Sequence, residues 1–221
     1  MVVRTRDRIA LTARELFNLE GEQNVAMVDI AMAMDISPGN LYYHYRGKEQ
    51  LIPALVDLFE REIEQLLHAP LDNLDSLGDH WSYLYLLLEA IHNNRFIYNN
   101  LTDISQRDKS LARRFARTLA LKRKTVGALC TKLSKQGHIT LDAPSRDNLL
   151  DTLVLTLTYW LNYAALQYPN EDLSIRLHRG VYRLATLLAP YMNDRQAFAE
   201  HCRLLYQSQL PIKPTGAIAP A

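Results

Sequence analysis

The feature that most constrains the fold of this chain is the spacing of its apolar residues, which recur three and four positions apart over most of its length. A clear example is the run Leu77, Trp81, Leu84, Leu88 and Ile91. An α-helix gathers residues at this spacing onto one face, whereas a half-buried strand alternates polar and apolar residues. Glycine is scarce, with 8 residues in 221, so little interrupts the helices. The sequence therefore predicts an all-α protein with nine or ten helices.

The overall composition is that of an ordinary globular protein, with 48% hydrophobic and 22% charged residues, and it argues against extensive disorder. The two cysteines, Cys130 and Cys202, are too few for a disulfide framework or a multi-cysteine zinc site, and they suit a reducing cytosol. The N-terminal residues lack the apolar stretch of a signal peptide, which favours a cytoplasmic location. Residues 149–166 are strongly apolar, but Asp151 and Asn162 interrupt them, so we expect a core helix and no membrane association.

Glycine, proline and short polar segments mark where the predicted helices begin and end. Ser37 followed by Pro38 is a typical start, because serine caps a helix and proline fits its first position. The C-terminal residues 208–221 include three prolines and are predicted to be disordered. The expected helices span about 4–20, 28–34, 38–43, 48–69, 74–91, 95–104, 109–135, 145–168, 174–192 and 196–206.

Residues 28–48 have the layout of a helix-turn-helix, with a short helix, a tight turn at Asp35 and a second short helix after it. In that arrangement the second helix enters the DNA major groove while the first crosses the phosphate backbone. Asn40 can read a base edge, and tyrosine hydroxyls can bind phosphates. The pattern alone leaves open the alternative that this segment is only structural. Two short helices joined by a turn are also common in the packing of helical proteins, and tyrosines at helical spacing often lie in a core.

The candidate DNA-binding residues come from this segment and from a basic N-terminal arm. Gly39 would let the backbone approach DNA closely, and Lys48 would add its charge to the positive end of the next helix. The full predicted set is Arg4, Val28, Ser37, Pro38, Gly39, Asn40, Tyr42, Tyr43, His44 and Lys48.

Residues 4–60 resemble the DNA-binding region of the TetR family of bacterial transcriptional regulators. The family pattern IA-x-x-x-G-V-S-x-G-T-L-Y-x-H-F-x-x-K-E-x-L is matched almost position for position, from Ile30-Ala31 through Leu41-Tyr42 to Lys48-Glu49. The resemblance implies a three-helix DNA-binding domain over 1–47, followed by a larger helical domain over 48–207 that dimerises and binds a small effector. It implies double-stranded operator DNA of palindromic sequence as the partner.

The departures from the family pattern bear on the DNA contacts. Asp35 replaces the usual turn glycine, and aspartate tolerates a left-handed backbone. Asn40 stands where threonine or serine is usual, which offers two hydrogen bonds to adenine. Met27 replaces the usual capping threonine, which puts one phosphate contact in doubt.

Two further features concern the larger domain. The segment 145–168 has two apolar stripes, where the surface helix of a monomer needs one, so we expect a homodimer through 145–168 and 174–192. One stripe is Leu150, Val154, Leu157, Leu161 and Ala164, and the other is Leu149, Leu153, Trp160 and Tyr163. Aromatic residues are frequent enough to build a pocket for an apolar or aromatic effector. The candidate lining residues are Trp81, Tyr85, Phe96, Tyr98, Phe115, Tyr159, Trp160 and Tyr163.

Nothing in the sequence favours an enzyme, a metal site or a cofactor, since the histidines lack metal-binding spacing and no phosphate-binding glycine loop is present. The basic segment 107–135, with ten basic residues and one acidic, is either a partner site or a solvated face opposite the acidic segment before it. The favoured hypothesis is a repressor that an effector releases from its operator. An activator or dual regulator of the same fold, and a helical interaction protein that does not bind DNA, remain alternatives.

Overall fold

The protein folds as a set of helices, as the apolar spacing predicts. The computed structural model describes residues 4–207, and within them no extended strand forms; Ile139 and Met192 make an isolated β-bridge. The predicted disorder of 208–221 concerns residues outside that range. The helices are α1 (Thr5–Glu20), α2 (Met27–Ala33), α3 (Pro38–His44), α4 (Lys48–Leu67), α5 (Leu77–Asn93), α6 (Arg95–Asn99), α7 (Leu101–Arg107), α8 (Lys109–Lys135), α9 (Ala143–Gln167), α10 (Leu173–Leu188) and α11 (Arg195–Gln207), with 3₁₀ turns at Leu71–Asn73 and Ala189–Tyr191.

One predicted helix is wrong: the segment expected to form a single helix over 95–104 forms the two short helices α6 and α7. They meet at Asn100, whose backbone is not helical, with φ −115° and ψ 16°. The Asn100 side-chain amide donates to the Phe96 carbonyl oxygen at 2.8 Å. Asparagine competes in this way with the regular backbone pattern, and that competition ends α6.

The described chain divides into two compact units. The first comprises the residues up to Pro70 together with Glu89–Thr125, and the second comprises Leu71–Leu88 together with the residues from Val126 onward. The three N-terminal helices and α4 lie in the first unit, whereas α9, α10 and α11 lie in the second.

The core of the first unit fixes the short helices α2 and α3 against longer ones. α1 packs on α2, α4 and α6, and α2 packs on α3. Phe17 of α1 and Phe96 of α6 are fully buried, with ring centroids 5.6 Å apart. Leu41 anchors α3 with no exposed surface. Because an isolated seven-residue helix is unstable in water, this packing is what holds α2 and α3 in place.

The core of the second unit depends on a close approach at Gly180 of α10. A Cβ atom at that position would lie 2.5 Å from Cδ1 of Trp160 and 2.7 Å from Cδ1 of Leu88. The Trp160 indole also donates to the Arg176 carbonyl oxygen at 2.8 Å. Glycine is therefore needed at 180 so that α10 can pack directly on α9.

The predicted cap of α3 is present, and it gives a first testable prediction. The Ser37 hydroxyl accepts a hydrogen bond from the Asn40 backbone N–H at 3.2 Å, and Pro38 occupies the first helical position. We expect Ser37→Ala to lower the free energy of unfolding by about 1 kcal/mol, the usual cost of losing such a cap. Urea denaturation followed by circular dichroism measures this change.

The matched control for this prediction is Ser134→Ala, at an exposed position near the end of α8. This substitution removes the same hydroxyl from a helix surface, and it should change stability by less than about 0.5 kcal/mol. Equal losses in both variants would show that the Ser37 hydroxyl does not act as a cap.

Candidate nucleic-acid interface

The turn between α2 and α3 has the backbone geometry that the sequence predicts. Asp35 has φ 53°, the left-handed conformation that aspartate tolerates in place of glycine. The Ile36 N–H donates to the Ala31 carbonyl oxygen at 3.1 Å, which closes the turn onto α2. The chain therefore reverses within Met34–Ser37 and presents α3 beside α2.

The outer side of α3 carries polar and aromatic side chains with no protein core against them. Tyr43 is 85% exposed and Tyr42 is 43% exposed, while Asn40 is also exposed. By contrast, Leu41 and Tyr45 are buried. The alternative that these tyrosines are core residues therefore applies to Tyr45 and not to Tyr42 or Tyr43.

The first helix of the motif also presents an exposed surface, but it begins differently from the family pattern. Val28 and Met32 of α2 are exposed, whereas Met27 is buried. The backbone N–H of Ala26, just before α2, is bound by the Asp29 carboxylate at 2.6 Å. Asp29 thus satisfies a backbone group at this helix end, and Met27 contributes packing and no hydroxyl.

All ten predicted DNA-binding residues lie in the first unit. Arg4 directly precedes α1 and is exposed, and the surface of α3 is open around Gly39, where a Cβ atom would meet only the Ser37 hydroxyl at 3.9 Å. His44 and Lys48 are half-buried. The exposed members are Arg4, Val28, Ser37, Pro38, Gly39, Asn40, Tyr42 and Tyr43.

Lys48 interacts with Glu22, a residue that no sequence pattern indicated. Glu22, between α1 and α2, is 2% exposed, and its carboxylate lies 3.6 Å from the Lys48 Nζ and 2.9 Å from an Arg107 nitrogen. The Lys48 ammonium also donates to the Glu22 backbone carbonyl. A buried carboxylate is held by cations in this way because it is otherwise costly to desolvate. No sequence pattern marked Glu22, since its partners come from distant helices.

The positive charge available to an anion therefore comes mainly from the arginines of this unit. Arg4, Arg6, Arg8 and Arg46 are exposed. The Arg6 guanidinium lies 5.0 Å from the Tyr45 ring centroid, so it is placed beside α3 by a cation–π contact. In residues 4–207 no group of histidine, cysteine, aspartate or glutamate side chains could hold a metal ion.

The aromatic residues predicted to line one pocket are divided between the two units. In the first unit, Tyr98 contacts Phe115 and Phe59, with ring centroids 5.4 and 5.7 Å away. Its hydroxyl accepts a hydrogen bond at 3.0 Å from Lys122, whose side chain is fully buried. This burial lowers the pKa of Lys122 to about 7. Phe96 belongs to the same unit but faces Phe17 of α1.

In the second unit the remaining aromatic residues make separate contacts. Trp81 packs on Phe198, and Tyr85 packs on His178, with centroids 6.3 and 4.9 Å apart. Trp160 lies 5.8 Å from Tyr163. Tyr163 and Tyr159 are more than 40% exposed. Each unit thus has aromatic clusters of its own.

The outer face of α9 corresponds only in part to the two predicted stripes. The two stripes read from the sequence are largely buried, including Leu150, Leu157 and Trp160. The exposed apolar residues form a row that takes only Tyr163 from the predicted stripes, and we call this row the outward face of α9: Leu155 (60% exposed), Tyr159 (42%), Tyr163 (54%) and Leu166 (86%). By length and hydropathy α9 is long and apolar enough to cross a membrane. Half of its most apolar 18-residue stretch is buried inside the protein, however, as is usual for a core helix.

The basic segment 107–135 is partly neutralised by acidic side chains. Arg114 of α8 binds the Glu60 carboxylate at 2.6 Å and that of Asp57 at 2.5 Å, both from α4. Lys109, Arg113, Arg117 and Lys124 are exposed. These positions agree with the solvated-face interpretation, and the structure adds no observation in favour of a partner.

Comparison with known proteins gives consistent matches over most of the described chain. A model of the bacterial regulatory proteins of the tetR family matches residues 9–55, and a model described as a bacterial transcriptional repressor matches 58–198. The helix-turn-helix transcriptional regulator YttP of Bacillus subtilis is 25% identical over 80% of this chain and 86% of its own length. The regulator UidR of Escherichia coli is 44% identical, but over 24% of this chain and 26% of its own.

A similar structure is that of a TetR-family transcriptional regulator from Marinobacter aquaeolei. It superposes with a TM-score of 0.82 at 27% identity and covers 95% of this chain and all of that one. The similarity therefore extends through the second unit, where the sequence motif gave no information.

Proposed function

The chain belongs to the TetR family of bacterial transcriptional regulators, which are helix-turn-helix DNA-binding proteins and not enzymes, and from this premise we propose a specific role. The protein acts in the cytoplasm as a homodimeric repressor. It binds a palindromic operator through α3 of each protomer, and an apolar or aromatic small molecule releases it. The observation that carries the proposal is the exposure of Asn40, Tyr42 and Tyr43 on a helix anchored by Leu41.

The proposed division of labour follows from the chemistry of these side chains. Asn40 offers an amide that can pair with both N6 and N7 of adenine, so it is the proposed base-reading residue. The two tyrosines, Ser37 and the arginines around α3 supply phosphate contacts, which position the protein without reading sequence. The match of residues 58–198 to a model described as a bacterial transcriptional repressor supports repression as the mode of regulation.

The outward face of α9 supports the proposed homodimer. Four large apolar or aromatic residues, Leu155, Tyr159, Tyr163 and Leu166, lie along one side of this helix in the second unit. A contiguous exposed apolar row of this kind is typical of an interface that another protein surface covers. A second copy of α9 brings an identical row, as two-fold symmetry requires.

The base-reading role of Asn40 is tested by Asn40→Ala. We expect the variant to lose about 1–3 kcal/mol of discrimination at one base pair in each half-site, while other positions keep their preference. The operator is first selected from fragmented genomic DNA with the purified full chain. Fluorescence anisotropy with operators mutated at each position then gives the discrimination.

Asn170→Ala is the matched control, because Asn170 is an exposed asparagine of the second unit. It should leave the whole specificity profile unchanged. If Asn40→Ala weakens binding equally to every operator variant, Asn40 contacts the backbone and the assignment fails. If no genomic fragment is selected at all, the proposed DNA-binding function fails.

Lys48 is proposed as a phosphate contact that must first leave Glu22. Because an ammonium that binds one phosphate releases about one counterion, Lys48→Gln should reduce the slope of log affinity against log salt by about 1. Lys135→Gln, at an exposed position at the end of α8, is the control and should leave the slope unchanged. An unaltered slope in Lys48→Gln would mean that Lys48 serves only to hold Glu22.

A further inference from the structure

A groove in the first unit lies between the start of α4 and the region where α7 ends and α8 begins. Its volume of about 340 Å³ is within the range typical of small-molecule sites. Charged and aliphatic side chains line it, and among the residues described no aromatic side chain does. The groove is therefore separate from the aromatic clusters of both units.

The apolar part of the groove is aliphatic. Ile52 and Pro53 of α4, Ile104 of α7 and Leu111 of α8 line it. Ile52, Ile104 and Leu111 are no more than 6% exposed, so they form the floor of the groove and not its rim. A branched aliphatic group placed there would be removed from water by side chains of the same chemistry.

Arg107 supplies the positive charge on the α7 side of the groove, and 47% of its side chain is exposed. Its Nη2 atom lies 2.9 Å from the Glu22 carboxylate and 2.8 Å from that of Asp103. Both contacts use this one nitrogen, so the N–H groups on Nε and Nη1 have no partner within residues 4–207. These N–H groups can donate to the carboxylate of a ligand.

Glu49 supplies the negative charge on the α4 side, and its side chain is exposed. In the described part of the chain, no lysine, arginine or histidine nitrogen lies within 4.0 Å of its carboxylate. Glu49 and Arg107 thus line one groove without pairing with each other. A space remains between two opposite charges.

The other two charged lining residues have protein partners. Lys48 is paired with Glu22, as described above. Asp108 accepts hydrogen bonds at its Oδ1 from the Ser110 and Leu111 N–H groups, at 2.7 and 3.3 Å, where α8 begins. Arg107 and Glu49 are therefore the two charged groups best placed to bind a ligand in the groove.

The size of the groove suits a ligand that carries both charges. A sphere of its volume is about 9 Å across. The ammonium and carboxylate of an α-amino acid lie within about 3.5 Å of each other, and a hydrogen bond of about 2.8 Å at each end extends this span to about 9 Å. A singly charged ligand would leave one of the two protein groups without a partner.

We propose that this groove binds a free α-amino acid with an aliphatic side chain. Its carboxylate accepts hydrogen bonds from Arg107, and its ammonium donates to Glu49. Its side chain packs on Ile52, Ile104 and Leu111. The inference goes beyond the proposed function, because neither operator DNA nor a second protomer takes part in the site.

Four probes test the proposal by isothermal titration calorimetry with the full chain in the absence of DNA. They are L-leucine, 4-methylpentanoate, which lacks the ammonium, 3-methylbutylamine, which lacks the carboxylate, and glycine, which lacks the side chain. We expect leucine to bind at least tenfold more tightly than each of the other three. No binding of leucine at millimolar concentration, or equal affinity for leucine and any other probe, overturns the proposal.

Variants assign the two charged contacts. Glu49→Gln should weaken leucine binding at least fivefold and remove the preference over 4-methylpentanoate. Glu64→Gln, at an exposed glutamate of the same helix that does not line the groove, is the matched control and should bind leucine normally. Unchanged leucine affinity in Glu49→Gln contradicts the proposed ammonium contact and overturns the proposal.

Arg107→Gln should weaken leucine binding at least tenfold and remove the preference over 3-methylbutylamine. Arg113→Gln, at an exposed arginine of α8 outside the groove, is its control. Circular dichroism checks that each variant folds. Because Arg107 also holds the buried Glu22, the Glu49→Gln result decides alone if Arg107→Gln does not fold.

Discussion

A negative charge on the outward face of α9 should separate the proposed dimer into monomers and weaken binding to a full operator by about 10²- to 10⁴-fold. Leu155→Glu places a carboxylate at a position that is 60% exposed in the protomer, so the protomer itself should fold normally. In the dimer the same carboxylate would face its symmetry mate in an apolar interface. Each monomer then binds its half-site separately, and the affinity that a dimer gains by binding both half-sites at once is lost. Sedimentation at micromolar concentration and anisotropy with the full operator measure the two effects.

The control for this experiment is Leu204→Glu, at a leucine of α11 that is 52% exposed. It adds the same charge to a similarly exposed leucine outside the proposed interface, and it should leave both mass and affinity unchanged. Binding to an isolated half-site should be equal in all three proteins, because α3 is untouched. A Leu155→Glu protein that still sediments at twice 25.4 kDa would rule out this face as the dimer interface.

Local sequence signals were sufficient to predict the helix-turn-helix. Ser37 and Pro38 define the start of α3 through a cap and a fixed φ, and Asp35 adopts the left-handed turn expected of it. These features depend on residues within four positions of one another, and the structure therefore matches the prediction closely. The exposure of Asn40 and Tyr43 follows in turn from the single buried anchor Leu41.

Features that depend on distant residues could not be predicted from local patterns. The pairing of Glu22 with Lys48 and Arg107 joins residues 26 and 85 positions apart, and no local pattern reports it. In α9, apolar residues occur on most of the circumference, so spacing alone could not decide which row faces outward. Of the row found exposed, Tyr163 belongs to one of the two predicted stripes, whereas Leu155 and Leu166 belong to neither. The aromatic pocket was inferred from composition, which says nothing about how Tyr98 and Trp160 are distributed between two units.

The buried ammonium of Lys122 should make stability rise with pH, by about 2 kcal/mol between pH 7 and 8.5. Burial lowers the pKa of Lys122 to about 7 in the folded protein, whereas in the unfolded chain it is about 10.4. Above pH 7 the folded state therefore loses this proton while the unfolded state keeps it, and the unfolded state binds more protons. The free energy of unfolding must then increase with pH. Urea denaturation at fixed protein concentration measures it.

The predicted rise of the free energy of unfolding ends near pH 8.5, because above that pH ionisation of the cysteines lowers the stability. Burial raises the pKa of Cys130 to about 11 and raises that of Cys202 as well, so unfolding at high pH gains from ionising their thiols. Lys122→Met removes the buried charge and should make the stability constant across the window. Lys124→Met, an exposed lysine of the same helix, should keep the rise. If Lys122→Met shows the same pH dependence as the unmodified protein, another group titrates, and Lys122 is charged in the core at pH 8.5.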